Sequence, residues 1–61
     1  MAMSSEERRA AILSMLDRAT SVQVTQLAEA FGVSRVTARA DLDVLARDGK
    51  LRRTHGGAVS L

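Results

Sequence analysis

Between Ala10 and Ala19 the apolar residues Ala10, Ile12, Leu13, Met15, Leu16 and Ala19 recur at one- to three-residue steps, with partners three and four apart. That is the spacing of a helix with one apolar face. Ser4-Ser5-Glu6-Glu7 comes just before, and Ser4 with Glu7 three residues on fits a reciprocal cap, each side chain taking an orphan backbone N–H of the other. Both glutamates also sit where the helix dipole favours negative charge. The pattern predicts a first helix over about 5–18, broken at Thr20-Ser21. Val22-Gln23-Val24 then alternates and is β-branched, which predicts a short strand able to pair with a hairpin further on.

Helical spacing resumes through Leu27, Ala28 and Phe31, predicting a second helix over about 24–31. Its N-cap is open between Gln23 and Thr25, half a turn apart. Gly32 suits the left-handed residue that follows a helix, Val33 reads as a core anchor, and Ser34 is a cap for a third helix over about 35–47, ended by Gly49. Ala38, Leu42 and Leu45 share the buried stripe of that helix, with Asp41 at its edge. Val36, Ala40, Asp43 and Arg47 lie opposite, flanked by Arg39 and Thr37, and Val44 also reads as outward. Leu51 to His55 then forms a strand, Gly56-Gly57 a tight turn using positive φ, and Ala58 to Leu61 a returning strand, a wing over about 50–61. The order is that of a mainly α fold with a small β-hairpin: a winged helix-turn-helix of three helices, a short strand and a two-stranded wing, forming one domain over 1–61.

Composition narrows what such a domain can be. A chain of 61 residues hides only about 60% of the surface its unfolded form exposes, so packing must be regular. There is no Cys and a single His, His55, so neither a disulfide framework nor a zinc centre is expected, and no cofactor. Phe31 is the only aromatic residue and Pro is absent, so the core is aliphatic and the helices run without kinks. No apolar stretch has the length of a membrane span, and the N-terminus lacks a signal-peptide pattern. The expectation is a soluble cytoplasmic protein.

Net charge is only +2, but it is unevenly spread. Residues 1–33 carry one net negative charge and residues 34–61 three net positive ones, with no acid from Lys50 onward. The positive half coincides with the third helix and the wing. A basic helix beside a basic β-ribbon suits the groove and flanking phosphates of duplex DNA. Arg35 and Arg39, in the first turns of the helix after the turn, are the candidate base readers, since arginine pairs bidentately with guanine; elsewhere they would be plain solvated arginines. Val36 on the outer face has no core to fill and suits a thymine methyl, or else a partner contact. Ala40 lies on the same outward face. Ser34 and Thr37 cap the helix, and the N–H groups beside them can hold a phosphate.

Lys50, Arg52 and Arg53 could simply discourage edge-to-edge aggregation, yet with no acid in their segment phosphate binding is the better reading. His55 has no carboxylate in its segment to orient it as a base, so catalysis is not expected; it and Gly56 belong to the wing tip. Asp41 reads as structural, between Arg39 and the core rim, and Val44 as a puzzle for which a partner subunit is the only suggestion. A protein-interaction winged helix is the alternative, but it calls for an uncharged or acidic recognition face and an apolar wing. Binding of single strands calls for aromatic platforms, which the chain lacks.

The residues resemble the N-terminal domain of DeoR-type bacterial transcriptional regulators. Carrying the resemblance are Arg8, Ile12-Leu13 and Leu16; Leu27-Ala28-Glu29-Ala30-Phe31; Val33-Ser34, Thr37, Arg39, Asp41-Leu42 and Leu45; then Gly49, Leu51, Arg53 and His55-Gly56-Gly57-Ala58. The family usually has a bulky aliphatic residue at Ala38 and a second arginine at Ala40, so the core under the helix and one DNA contact depart from its pattern. The resemblance implies repression of sugar or sugar-phosphate operons. It also implies a C-terminal sensor domain, outside these 61 residues, for a phosphorylated sugar effector. Helix-turn-helix readers usually pair on half-sites, so a homodimer or higher homo-oligomer is expected of the intact protein, whereas these 61 residues, with no heptad seam, could stay monomeric.

Overall fold

The computed structural model describes residues 3–61. Its elements run α1 (Ser5–Ala19), β1 (Ser21–Gln23), α2 (Val24–Phe31), α3 (Arg35–Arg47), β2 (Arg52–Thr54) and β3 (Gly57–Val59). The winged helix-turn-helix expected from the sequence is the fold observed.

Each helix starts and stops where its local chemistry dictates. Ser4 Oγ accepts from the Glu7 N–H at 3.1 Å, and Glu7 Oε1 accepts from the Ser4 N–H at 2.9 Å, completing the reciprocal cap. At the far end Thr20 is left-handed at φ 63° and its N–H donates to the Leu16 carbonyl, so α1 turns directly into β1. The open choice of cap for α2 resolves to Gln23, whose N–H donates to Gln26 Oε1 at 3.3 Å. Val24 is thus the first helical residue and not the third of a strand, and its N–H donates to the Gly56 carbonyl at 2.8 Å. Gly32, left-handed at φ 66°, ends α2.

The strands form a three-stranded antiparallel sheet in the order β1-β3-β2. The returning strand β3 is therefore central, with Ala58 facing Val22 on one side and Arg53 on the other. One prediction needs correcting here. The hairpin turn is His55-Gly56, and only Gly56 takes positive φ, at 87°. Gly57 is already in β3, buried, with conventional φ; a side chain there would run into the Val22 carbonyl of β1. The glycine pair thus serves two purposes, a turn at Gly56 and a close strand approach at Gly57.

The core draws on every layer: Ile12 and Leu16 from α1, Val22 from β1, Val24 and Leu27 from α2, Ala38, Leu42 and Leu45 from α3, then Leu51 and Ala58. Phe31 and Val33 pack half-buried at its margin. Ala38 is fully covered despite its small side chain. Ala10 and Ala19, counted in the helical pattern of α1, face solvent. Val44, read as outward, is half-buried.

Candidate nucleic-acid interface

The start of α3 is fixed by its cap. Ser34 Oγ accepts from the Thr37 N–H at 3.1 Å and donates to Thr37 Oγ1 at 3.1 Å. That bond fixes both hydroxyls and leaves Thr37 half-buried, while Arg35, Val36, Arg39 and Ala40 are exposed. Val36 is 72% exposed, the most exposed large apolar side chain on any helix among the described residues. Among the described residues neither Arg35 nor Arg39 makes an ion pair or side-chain hydrogen bond. The first two turns of α3 therefore present two solvated guanidinium groups around a bare valine and alanine.

What holds this face outward is an ion cluster behind it. Asp41, expected at the core rim beside Arg39, is 4% exposed and turned toward α1. Arg8 Nε donates to its Oδ2 at 2.6 Å and Arg8 Nη2 approaches Oδ1 at 3.4 Å; Arg9 adds a contact at 3.6 Å. The hydrogen bond that Arg8 donates to Asp41 raises the guanidinium above its ordinary value, against the opposing effect of burial. The carboxylate is satisfied wholly by the scaffold helix. Sequence reasoning read Asp41 as structural, orienting some basic side chain between Arg39 and the core rim, but named no partner, because Arg8 lies 33 residues away. A signal was present: Arg8 stands four residues before the buried Ile12, on the same helical face.

The wing brings Lys50, Arg52, His55 and Gly56 to the surface, all exposed. Lys50 and Arg52 have no ion-pair partner among the described residues. Arg53 differs. Its Nε donates to Asp43 Oδ1 of α3 at 2.8 Å, and its Nη1 donates to the Gly57 carbonyl and, at 3.4 Å, to that of Thr54. The expectation that no acid stood near the wing held along the sequence and fails in space, since α3 supplies Asp43. Among the described residues no cluster of His and acid side chains has the makings of a metal site, and no helix is long and apolar enough to cross a membrane.

Comparison with known proteins bears on this surface. The family model for the DeoR-like helix-turn-helix domain matches residues 8–61. The chain is 45% identical over 58 residues to the transcriptional repressor AccR of Agrobacterium fabrum, covering 95% of this chain and 22% of that protein. It is 41% identical over 61 residues to a putative galactitol utilization operon repressor of Escherichia coli, covering all of this chain and 54% of the relative. A lactose phosphotransferase system repressor of Lactococcus lactis is 41% identical over 59 residues, 97% of this chain and 23% of its own length. The chain thus spans from about a fifth to about half of the relatives it matches. No solved structure matches it.

Proposed function

This chain belongs to the DeoR-like helix-turn-helix family, and from that premise we propose that it reads operator sequence in duplex DNA on behalf of a transcriptional regulator. The family is one of DNA-binding regulators and not of enzymes. One observation carries the finer reading: Arg35, Val36 and Arg39 stand exposed at the start of α3, and among the described residues neither arginine has an ion-pair or side-chain hydrogen-bond partner. Side chains at the start of a recognition helix are the ones that reach base edges, and a solvated guanidinium has its donors available for guanine.

In this reading Arg35 and Arg39 contact bases, Val36 packs on a thymine methyl, and Ala40 permits close approach of the helix. Ser34 and Thr37 present the helix N-terminus to a phosphate, with Lys50, Arg52, His55 and Gly56 of the wing along the flanking backbone. Names such as galactitol utilization operon repressor and lactose phosphotransferase system repressor support repression of a sugar operon. A homodimer on paired half-sites and a phosphorylated sugar effector bound outside residues 1–61 complete the proposal.

The test is selection of duplexes by this chain from a random-sequence pool, followed by titration of a selected duplex at several salt concentrations. Arg39→Ala is expected to cost about 1–3 kcal/mol on that duplex and much less on unrelated sequence. Equal losses on both would mean that Arg39 reads no base, and the assignment of α3 would fall.

A further inference from the structure

We propose that Asp43 and Arg53 form a clasp that sets the angle of the wing against α3, so that both residues serve DNA binding by positioning the wing and neither does so by touching the duplex. The DNA half of this inference rests on the functional reading above; the clasp itself does not.

The geometry comes from one guanidinium engaged on two sides. Through Nε it holds Asp43, near the middle of α3; through Nη1 it holds the carbonyls of Thr54 and Gly57, on either side of the hairpin turn. Arg53 also pairs in register with Ala58, whose side chain is in the core. One residue therefore links the recognition helix, β2 and β3. Its side chain is 26% exposed, whereas Lys50 and Arg52 are exposed and have no ion-pair partner among the described residues. A wing that needed Arg53 only as a cation would not bind three of its donor contacts internally.

Asp43 supplies the second, independent observation. It lies on the outward face with Val36 and Ala40, 57% exposed, where a carboxylate opposes approach to a polyanion. An ion pair so open to water adds little to stability. Its use is to hold one arrangement of helix and wing, because a bond from Nε and two from Nη1 fix the guanidinium plane as a lysine ammonium would not.

The two readings differ in sign, which makes them separable. If Arg53 were a phosphate contact, Asp43→Asn would remove a repulsive charge and tighten binding, and Arg53→Lys would keep most of the affinity. The clasp requires the opposite. Asp43→Asn, Arg53→Ala and Arg53→Lys should each weaken binding of a selected duplex by about threefold or more, and Asp43→Asn combined with Arg53→Ala should be no worse than the poorer single variant, as for residues in one network. In the chain without DNA, Asp43→Asn should also speed amide hydrogen exchange across the β2–β3 ladder relative to β1–β3. Urea unfolding checks that each variant folds. Tighter binding by Asp43→Asn, or unchanged exchange in the wing, overturns the clasp. Failure of the unaltered chain to bind any duplex would sink the functional reading instead, and hydrogen exchange alone would then decide the clasp.

Discussion

Two aspartates, two residues apart on α3, each hold an arginine, and they do opposite things. Asp41 is buried and faces the scaffold, where Arg8 and Arg9 converge on it from α1. Asp43 is open to water and faces the wing, where it holds Arg53 alone. Burial explains the difference. A pair removed from water carries a large desolvation cost, so losing one member leaves a charge with nothing to offset it. A solvated pair contributes about 0–1 kcal/mol, so what it offers is orientation. The inner flank of α3 is therefore where stability resides, and the outer flank is where geometry is adjusted for whatever the helix touches.

Changes on the inner flank should have the largest effects. Leu42 is completely buried in the contact of α3 with the core, and Leu42→Ala should cost about 2–5 kcal/mol. A single core in so small a domain supplies about 3–5 kcal/mol in all, so circular dichroism should find this variant largely unfolded without denaturant. Asp41→Asn should come next, folded without denaturant, unlike Leu42→Ala, but with a urea midpoint below that of the unaltered chain. It leaves Arg8, whose side chain is 14% exposed, facing a neutral amide. Adding Arg8→Met and Arg9→Met to that background should recover part of the loss, because the cost lies in orphaned charge. If Asp41→Asn unfolds at the same urea concentration as the unaltered chain, the contrast between the two aspartates disappears.

On the wing side the sharpest structural test is Gly57→Ala. Gly57 lies between β1 and β2 in the centre of the sheet, and a Cβ would strike the Val22 carbonyl with the Gln23 Cα only 3.2 Å away. Backbone must shift, and the expected cost is about 1–3 kcal/mol, read from urea unfolding. Gly56→Ala should disturb the fold through its positive φ alone, since the space around it is open. A larger loss at Gly57 than at Gly56 would show that close approach to β1, more than turn conformation, governs the wing.

The same contrast explains what could be read before the fold was known. Helix boundaries were legible because caps are local: Ser4 with Glu7, Ser34 with Thr37 and the left-handed Gly32 each act within a few residues. The buried stripe Ala38, Leu42 and Leu45 followed from period alone. The ion pairs were not legible, since Asp41 meets Arg8 across 33 residues and Asp43 meets Arg53 across ten. A charge count along the chain finds no acid in the wing, yet folding places one beside it. Gly57 was misplaced for a related reason: two adjacent glycines look alike until β1 crosses one of them. The exposed Arg35, Val36 and Arg39 were legible because an apolar residue outside the stripe between two arginines has no place in the core. Whether they touch bases is a question for titration.

The smallest effect lies at the far end of the scaffold, where α1 begins. Glu7 accepts from the Ser4 N–H while its own N–H donates to Ser4 Oγ. Hydrogen bonding from the Ser4 backbone first and from the Ser4 side chain second holds the Glu7 carboxyl below the usual glutamate range, against an opposing effect of burial. The folded value therefore lies below the unfolded one. The contribution is fully present above the unfolded value and is lost as pH falls through the folded value. The first turn of α1 should loosen in that acid window, and the Glu7 side-chain carboxyl carbon should titrate by NMR below a glutamate in a short peptide. Ser4→Ala, which removes the hydroxyl but keeps the backbone donor, should move that midpoint part of the way back toward the peptide value. A midpoint unmoved by Ser4→Ala would mean that the backbone N–H alone sets it, and that the hydroxyl caps the helix without tuning the acid.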